Sequence, residues 1–222
     1  MSDKPWHLRE SAEFEGIGRR LEVEFPYLQV GVSEGDTALR GELPIAHNGK
    51  IIDHFEVEVR VDSRGPRRVV PVVRETGGRI PRTVDRHVYP TTGNACLFVQ
   101  DEYWYRHPDG MELVDFLKGP VTSYFIAQTH FELHGEWPFG ERAHGAEGIR
   151  EFYYEIFGTR DSEVVRAFVG TIATAVLNGR APCPCKSGKR VNACHAPLIR
   201  EVRSRIDRQA IDLTLATLSR RQ

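Results

Sequence analysis

Residues 55–61 read Phe55-Glu56-Val57-Glu58-Val59-Arg60-Val61, a strict alternation of apolar and charged side chains. Successive side chains on a strand point to opposite faces of a sheet, so this run is a strand with one buried and one wet face. That pattern belongs to an antiparallel sheet solvated on one side. Asn48-Gly49 lies just upstream, and it is a strong signal for a two-residue hairpin whose central residues both take positive φ. The runs 37–45 and 51–61 are therefore predicted to pair. Two further β-rich runs, 27–32 and 68–73, are set off by Ser33-Glu34-Gly35-Asp36 and Ser63-Arg64-Gly65-Pro66, both turn compositions. A four-stranded antiparallel meander follows.

Apolar residues recur at helical spacing across 6–23 (Leu8, Phe14, Ile17, Leu21), ahead of the sheet. Helical spacing returns after Pro108-Asp109-Gly110 with Leu113, Phe116, Leu117, Val121 and Phe125, then over 146–157, 162–177 and 200–218. Between sheet and helices, residues 77–108 lose all period and are rich in Gly, Pro, Thr, His and Asn. Such long irregular segments are usually functional or disordered. The expected fold class is α+β: an N-terminal helix, the meander, a loop carrying a cysteine, and C-terminal helices.

Three of the four cysteines sit together, in Cys183-Pro184-Cys185-Lys186-Ser187-Gly188-Lys189-Arg190-Val191-Asn192-Ala193-Cys194-His195. Zinc takes four tetrahedral ligands from thiolate and imidazole, and structural sites draw all four from the protein. Cys183, Cys185, Cys194 and His195 supply that number. Lys186 to Lys189 has the composition of a tight turn, with Gly188 suited to positive φ, while Lys186, Lys189 and Arg190 offset thiolate charge. An odd number of clustered cysteines argues against a closed disulfide set. The N-terminus does not resemble a signal peptide, so a cytoplasmic location with reduced thiols is expected. The other reading is a reduced, metal-free loop. This cluster resembles the SEC-C motif, usually written CPCxSGKKYKxCH, with Val191-Asn192 where that family often has Tyr-Lys. The resemblance implies a structural zinc ion and a small appendage for docking partners, and it covers about a dozen residues.

Basic and acidic residues number 30 and 31, so no overall basic field argues for nucleic acid. No apolar run approaches the roughly 20 residues needed to span a bilayer. Arg67, Arg68, Arg79, Arg82 and Arg86 form a basic stretch near residue 96; a solvated face is its ordinary reading, a surface for an acidic partner the sharper one. Of His130, His134 and His144, only the first two, four apart, have the spacing of a ligand pair on one helical turn. Gly135 and Pro138 signal a helix end there, and all three are read as solvated or capping. Trp137-Pro138-Phe139-Gly140-Glu141 is read as packing plus a turn.

The fourth cysteine, Cys96, stands alone. A lone cysteine is either a small buried apolar residue or a nucleophile. Thr91-Thr92-Gly93-Asn94-Ala95 before it is not a core-strand composition, and Leu97-Phe98-Val99 behind it would anchor the segment. His87, His107 and Asp101 are polar neighbours in sequence.

The element order and the run Arg86-His87-Val88-Tyr89-Pro90, then Gly93-Asn94-Ala95-Cys96-Leu97, then Trp104, resemble the ubiquitin-conjugating enzymes. That family's signature is His-Pro-Asn, a Tyr-like residue, Gly, then Cys-Leu with a Trp beyond. The resemblance covers about residues 5–157. It departs at His87, which stands where the family has its Asn, and in one extra residue before the cysteine. It implies a ubiquitin-conjugating-like domain over 1–158 and a helical tail over 159–222 holding a zinc knuckle at 181–196. The departure resembles that of bacterial members of the superfamily, some of which accompany antiphage cGAS-like nucleotidyltransferases.

The implied activity is an acyl transfer. Cys96 accepts the C-terminal carboxyl of a protein partner, either a ubiquitin-like protein or the C-terminus of such a nucleotidyltransferase. It then passes the acyl group to an amine of a target. His87 and Asn94 are candidate oxyanion donors and Asp101 a candidate proton acceptor. There is no Gly-rich phosphate loop, so a separate activating enzyme is expected. Two alternatives are a silent protein-binding module with the same fold and a thiol peptidase using Cys96 and His87.

Overall fold

In the computed structural model, which describes residues 4–33, 36–138 and 142–219, the Asn48-Gly49 turn takes the conformation its residues favour. Asn48 has φ +50° and Gly49 φ +74°, the left-handed pair of a type I′ turn. It joins β2 (Asp36–His47) to β3 (Lys50–Val61), and β1 (Leu28–Ser33) and β4 (Val72–Glu75) complete one antiparallel sheet of order β1-β2-β3-β4. The turn expected at 33–36 has its middle, residues 34 and 35, outside the described residues. The alternation of β3 is realised: Phe55, Val57, Val59 and Val61 are all buried. Leu39 pairs with Val59 and Leu43 with Phe55, so these residues share the core face. The opposite face carries Arg40, which bonds Glu58 at 2.7 Å, and His54 beside Glu42 at 3.0 Å.

Gly41 interrupts β2 for a reason. Its φ is +138°, and a Cβ built there would lie 2.1 Å from the Tyr27 carbonyl oxygen. A side chain can enter only by moving the backbone at the start of β1. Gly41→Ala is expected to cost about 2–3 kcal/mol, read as a lower urea midpoint with an unchanged slope.

Helices cover the core face. α1 (Trp6–Arg9) and α2 (Ser11–Glu24) replace the single helix expected over 6–23, because the backbone leaves helical geometry at Glu10, with φ −121° and ψ 46°. Ile17 and Leu21 of α2 are buried. The fourth strand lies later than the sequence pattern suggested. Residues 66–69 instead form a turn closed by Arg68 and Val69 amides donating to the Gly65 carbonyl, and Pro71 follows. The segment 77–108 holds one turn of 3-10 helix (Val84–Arg86) and the short helix α3 (Gln100–Arg106). α4 (Leu113–Phe116) then runs through a π-helical turn (Leu117–Val121) into α5 (Thr122–His134). Pro120 lies in that turn and has no N–H to give to a regular ladder. Phe125 of α5 packs on Phe55 with ring centroids 4.6 Å apart.

The remaining helices are α6 (Gly145–Phe157), α7 (Ser162–Ile172), α8 (Ala196–Arg205) and α9 (Arg208–Ser219). The last two divide the single helix expected over 200–218, broken at Ile206. The chain forms two compact units, Met1–Leu97 with Asp109–Gly140, and Phe98–Pro108 with Glu141–Gln222. The first contains the sheet with α1, α2, α4 and α5. The second contains α3 and α6 to α9, built on Tyr153, Val165, Phe168, Val169, Ile199 and Val202, all inaccessible to solvent.

Candidate functional site

In the first unit, Cys96 follows a small hairpin. Val88 and Ala95 form an isolated antiparallel bridge, the Tyr89 amide donates to the Asn94 carbonyl, and the Gly93 amide donates to the Tyr89 carbonyl. Gly93 closes the turn at φ +71° against the Arg82 guanidinium. The hairpin is fastened to β4: the Ala95 amide donates to the Val73 carbonyl at 2.8 Å, and Arg74 Nε donates to Asn94 Oδ1 at 2.7 Å. The Cys96 amide in turn donates to the His87 carbonyl at 2.7 Å. The cysteine is thus held by backbone bonds on both sides, with its side chain half-buried.

Burial pushes the Cys96 thiol above its ordinary pKa, and the Tyr89 hydroxyl beside it offsets part of that rise. The same burial raises Tyr89 itself. His87 is left-handed at φ 49° and packs its ring edge-on against Trp137, centroids 4.7 Å apart. Tyr89 lay within the motif that pointed to Cys96, yet its spacing gave no sign that its hydroxyl faces the thiol.

The basic stretch is largely neutralised. Arg79 forms ion pairs with Asp53 at 2.7 Å and Glu132 at 2.6 Å while lying over the Phe55 ring. Its guanidinium holds the Asp53 carboxyl down to about 2. Arg86 bonds Gln128 and Glu132, and Arg67 bonds Glu13. His130 Nδ1 lies 3.0 Å from the Glu136 carbonyl at the end of α5, where Gly135 takes φ +74°. Of the 137–141 segment, residues 139–141 lie outside the described residues.

Asp101 belongs to the second unit, on α3, and is 1% exposed. Its Oδ2 accepts the Tyr153 hydroxyl at 2.7 Å, Thr214 of α9 faces the same carboxyl, and Oδ1 has no hydrogen bond of ordinary geometry. Burial raises its pKa. Between the usual carboxylate range and that raised value, the native state holds a proton that the unfolded chain releases. Stability therefore falls as pH rises through this window and levels off above it. Asp101→Asn keeps the acceptor for Tyr153 and has no charge to bury. Relative to wild type it is expected to gain stability from pH 4 to pH 7, by about 1.4 kcal/mol per unit of native-state rise, read from urea midpoints at the two pH values.

The metal-ligand set also lies in the second unit. The ligand atoms of Cys183, Cys185, Cys194 and His195 all fall within 4.8 Å of one another, and this is the one such group among the described residues. His195 Nδ1 is 3.3 Å from Cys183 Sγ and 3.1 Å from Cys194 Sγ, while Cys185 and Cys194 Sγ are 3.6 Å apart. A tetrahedral ion with metal–sulfur bonds of about 2.3 Å and metal–nitrogen bonds of about 2.0 Å needs ligand separations of about 3.5–3.8 Å. The four residues fit such an ion after small shifts.

Local sequence builds this pocket. The Cys183 amide donates to the Lys189 carbonyl, the Lys186 amide donates to the Cys183 carbonyl, and Lys186 and Gly188 take φ +60° and +75°. The Ser187 hydroxyl lies against both Cys185 and Cys194 and holds the Cys185 thiol down to about 6, whereas burial pushes Cys183 up to about 11. Lys186 turns away from the thiols to Asp161 at 2.8 Å, the residue that caps α7. The ring of His195 meets Phe168 edge-on at 5.1 Å, and Phe168 stacks on Phe157 at 4.0 Å. Ser187 and Asp161 were not legible as contributors.

Fold and site together define an α+β protein with a Cys/His cluster able to bind a metal ion. No protein-family model, curated protein or solved structure matches the chain. No helix among the described residues is long and apolar enough to cross a membrane.

Proposed function

We propose that this chain is a ubiquitin-conjugating-like acyl carrier, with Cys96 as the thioester residue and a structural zinc ion on Cys183, Cys185, Cys194 and His195. The observation that supports it best is the setting of Cys96: a clamped hairpin fastened to the last strand of a four-strand meander, the order the resemblance implies. In this reading the Cys96 thiolate attacks the activated C-terminal carboxyl of a ubiquitin-like protein or a cGAS-like nucleotidyltransferase. A carbon–sulfur bond forms and the activating group leaves. A target amine then forms the carbon–nitrogen bond, the carbon–sulfur bond breaks, and the proton lost by the amine returns to the thiolate. Tyr89, whose hydroxyl lies beside the thiol, is the candidate to steady the oxyanion, while Asn94 Oδ1 accepts from Arg74 and the His87 ring packs on Trp137. Asp101 takes no part, since its carboxyl is buried beneath Tyr153. Zinc would fix the 183–195 loop as a cross-link and supply no chemistry to the transfer. The setting would be cytoplasmic, in antiphage defence, with a separate activating enzyme.

A silent docking module is the second reading, favoured by the upward shift of the Cys96 thiol. A peptide ending in an aryl thioester separates the two when mixed with zinc-loaded protein. The carrier reading expects an adduct on Cys96, identified by peptide mass, cleaved by thiol reductant and absent from Cys96→Ala. No adduct at Cys96 overturns it.

A further inference from the structure

α2 carries Gly16 and Gly18 in its middle, although glycine is among the poorest helix formers. Around Gly18 the space is open: a Cβ there would meet no atom within 4 Å. Gly18 opens on a cavity of about 440 Å³ between α2 and the β1–β2 margin of the sheet, lined by Phe14, Ile17, Leu28, Val30 and Leu39. Thr37, 1% exposed, lines the same cavity and its hydroxyl has no hydrogen-bond partner.

The sheet is open beside this cavity. β1 is an outer strand with no described strand on its far side, whereas the β4 margin is covered by Asn94 and Ala95. Val30 and Val32 lie on the same face as buried Leu28, yet remain 42% and 48% exposed. An outer strand with free backbone groups and bare apolar side chains is a template for another strand. Glu15 and Glu22 border the cavity. Glu22 has no ion pair among the described residues, and Glu15 reaches only Arg19, at 3.9 Å between two exposed groups.

We propose that this groove receives an extended segment of a partner protein, which adds to β1 as a fifth strand. One apolar side chain of the segment fills the cavity over Gly18, and lysine or arginine side chains two residues to either side, on the same face of the added strand, meet Glu15 and Glu22. Backbone bonds to an outer strand give affinity, and pockets for alternate side chains give selectivity. The acidic rim selects against a carboxylate-bearing lipid. It also selects against a second copy of this chain, because a two-fold interface brings the same patch together from both sides and would set acid against acid. This inference is independent of any chemistry at Cys96.

The test uses the full chain, zinc-loaded, and two heptapeptides, Thr-Lys-Thr-Leu-Thr-Lys-Thr, which sets both lysines on the same face as the leucine, and its counterpart with Glu for Lys. Amide exchange is followed residue by residue. The lysine peptide is expected to slow exchange at Val30 and Val32 at least tenfold, and the glutamate peptide to leave it unchanged. Gly18→Met fills the cavity with a better helix former and is expected to weaken binding at least tenfold while the protein stays folded. Glu22→Lys is expected to reduce the preference for the lysine peptide several-fold. The proposal is overturned if neither peptide protects β1, if protection survives Gly18→Met, or if β1 is protected without peptide by self-association that grows with protein concentration.

Discussion

Replacement of Cys183 by serine is expected to strip the protein of one equivalent of zinc and to unfold much of the helical unit at physiological temperature. Cys183 is the most buried of the four ligands, at 5% exposure, and its backbone closes the knuckle through Lys186 and Lys189. A serine hydroxyl is a poor ligand for zinc, so three ligands remain where four are needed. Binding to a site absent from the unfolded chain adds directly to folding free energy, by about 10 kcal/mol or more in peptides that have no other core. The second unit has a core of its own, so a loss of several kcal/mol is the reasonable scale. At about 4–8 °C per kcal/mol for a unit of this size, melting falls by tens of degrees. The stack from Tyr153 through Phe157 and Phe168 to His195 carries the loss from the knuckle into α6 and α7. Metal content by elemental analysis and melting by circular dichroism, with and without chelator, check both parts. Chelator is expected to lower wild type toward the variant and to leave the variant unchanged. A metal-free wild type with the same melting point refutes the structural role.

The contrast between what the sequence made legible and what it hid follows the range of the interactions. The β2–β3 hairpin was readable because Asn48-Gly49 and the alternation of 55–61 are local signals, and the structure obeys both. The Cys/His cluster was readable for the same reason, since all four of its residues fall within 183–195. The fourth strand was displaced because Arg68 and Val69 are drawn back to Gly65, a turn whose strength did not show in β propensity. Asp101 illustrates the limit. Nothing near it in sequence announces burial, which is imposed by Tyr153, 52 residues further along the chain, and by Thr214 of α9. Tyr89 is closer to Cys96 but was equally silent, because a hairpin fastened to β4 decides which way its hydroxyl points.

Cys96 should react as a thiol that resists ionisation, and this makes its reactivity steep in pH. Burial outweighs the Tyr89 hydroxyl, so its pKa lies above the ordinary value of 9.0. Only the thiolate attacks carbon, and below the pKa its fraction rises tenfold per pH unit. Alkylation of Cys96 by iodoacetamide is therefore expected to climb without levelling to pH 9 and beyond. Tyr89→Phe removes the one hydrogen bond that favours the thiolate. It should move the midpoint upward and slow alkylation at pH 7.5 several-fold, while lowering folding stability by no more than about 0.5–1.5 kcal/mol, the worth of one lost hydrogen bond. Cys185 is the necessary control. Ser187 holds it near 6 in the absence of metal, so in chelated protein it should be the faster thiol, and zinc should protect it while leaving Cys96 unaffected. For thioester transfer the consequence is larger. Cys96→Ala is expected to abolish adduct formation by on the order of a thousandfold or more, and Tyr89→Phe to reduce it in proportion to its effect on alkylation. If Tyr89→Phe slows transfer but not alkylation, the hydroxyl serves the oxyanion rather than the thiolate. If it changes neither, Tyr89 is a packing residue and the thiol is governed by burial alone.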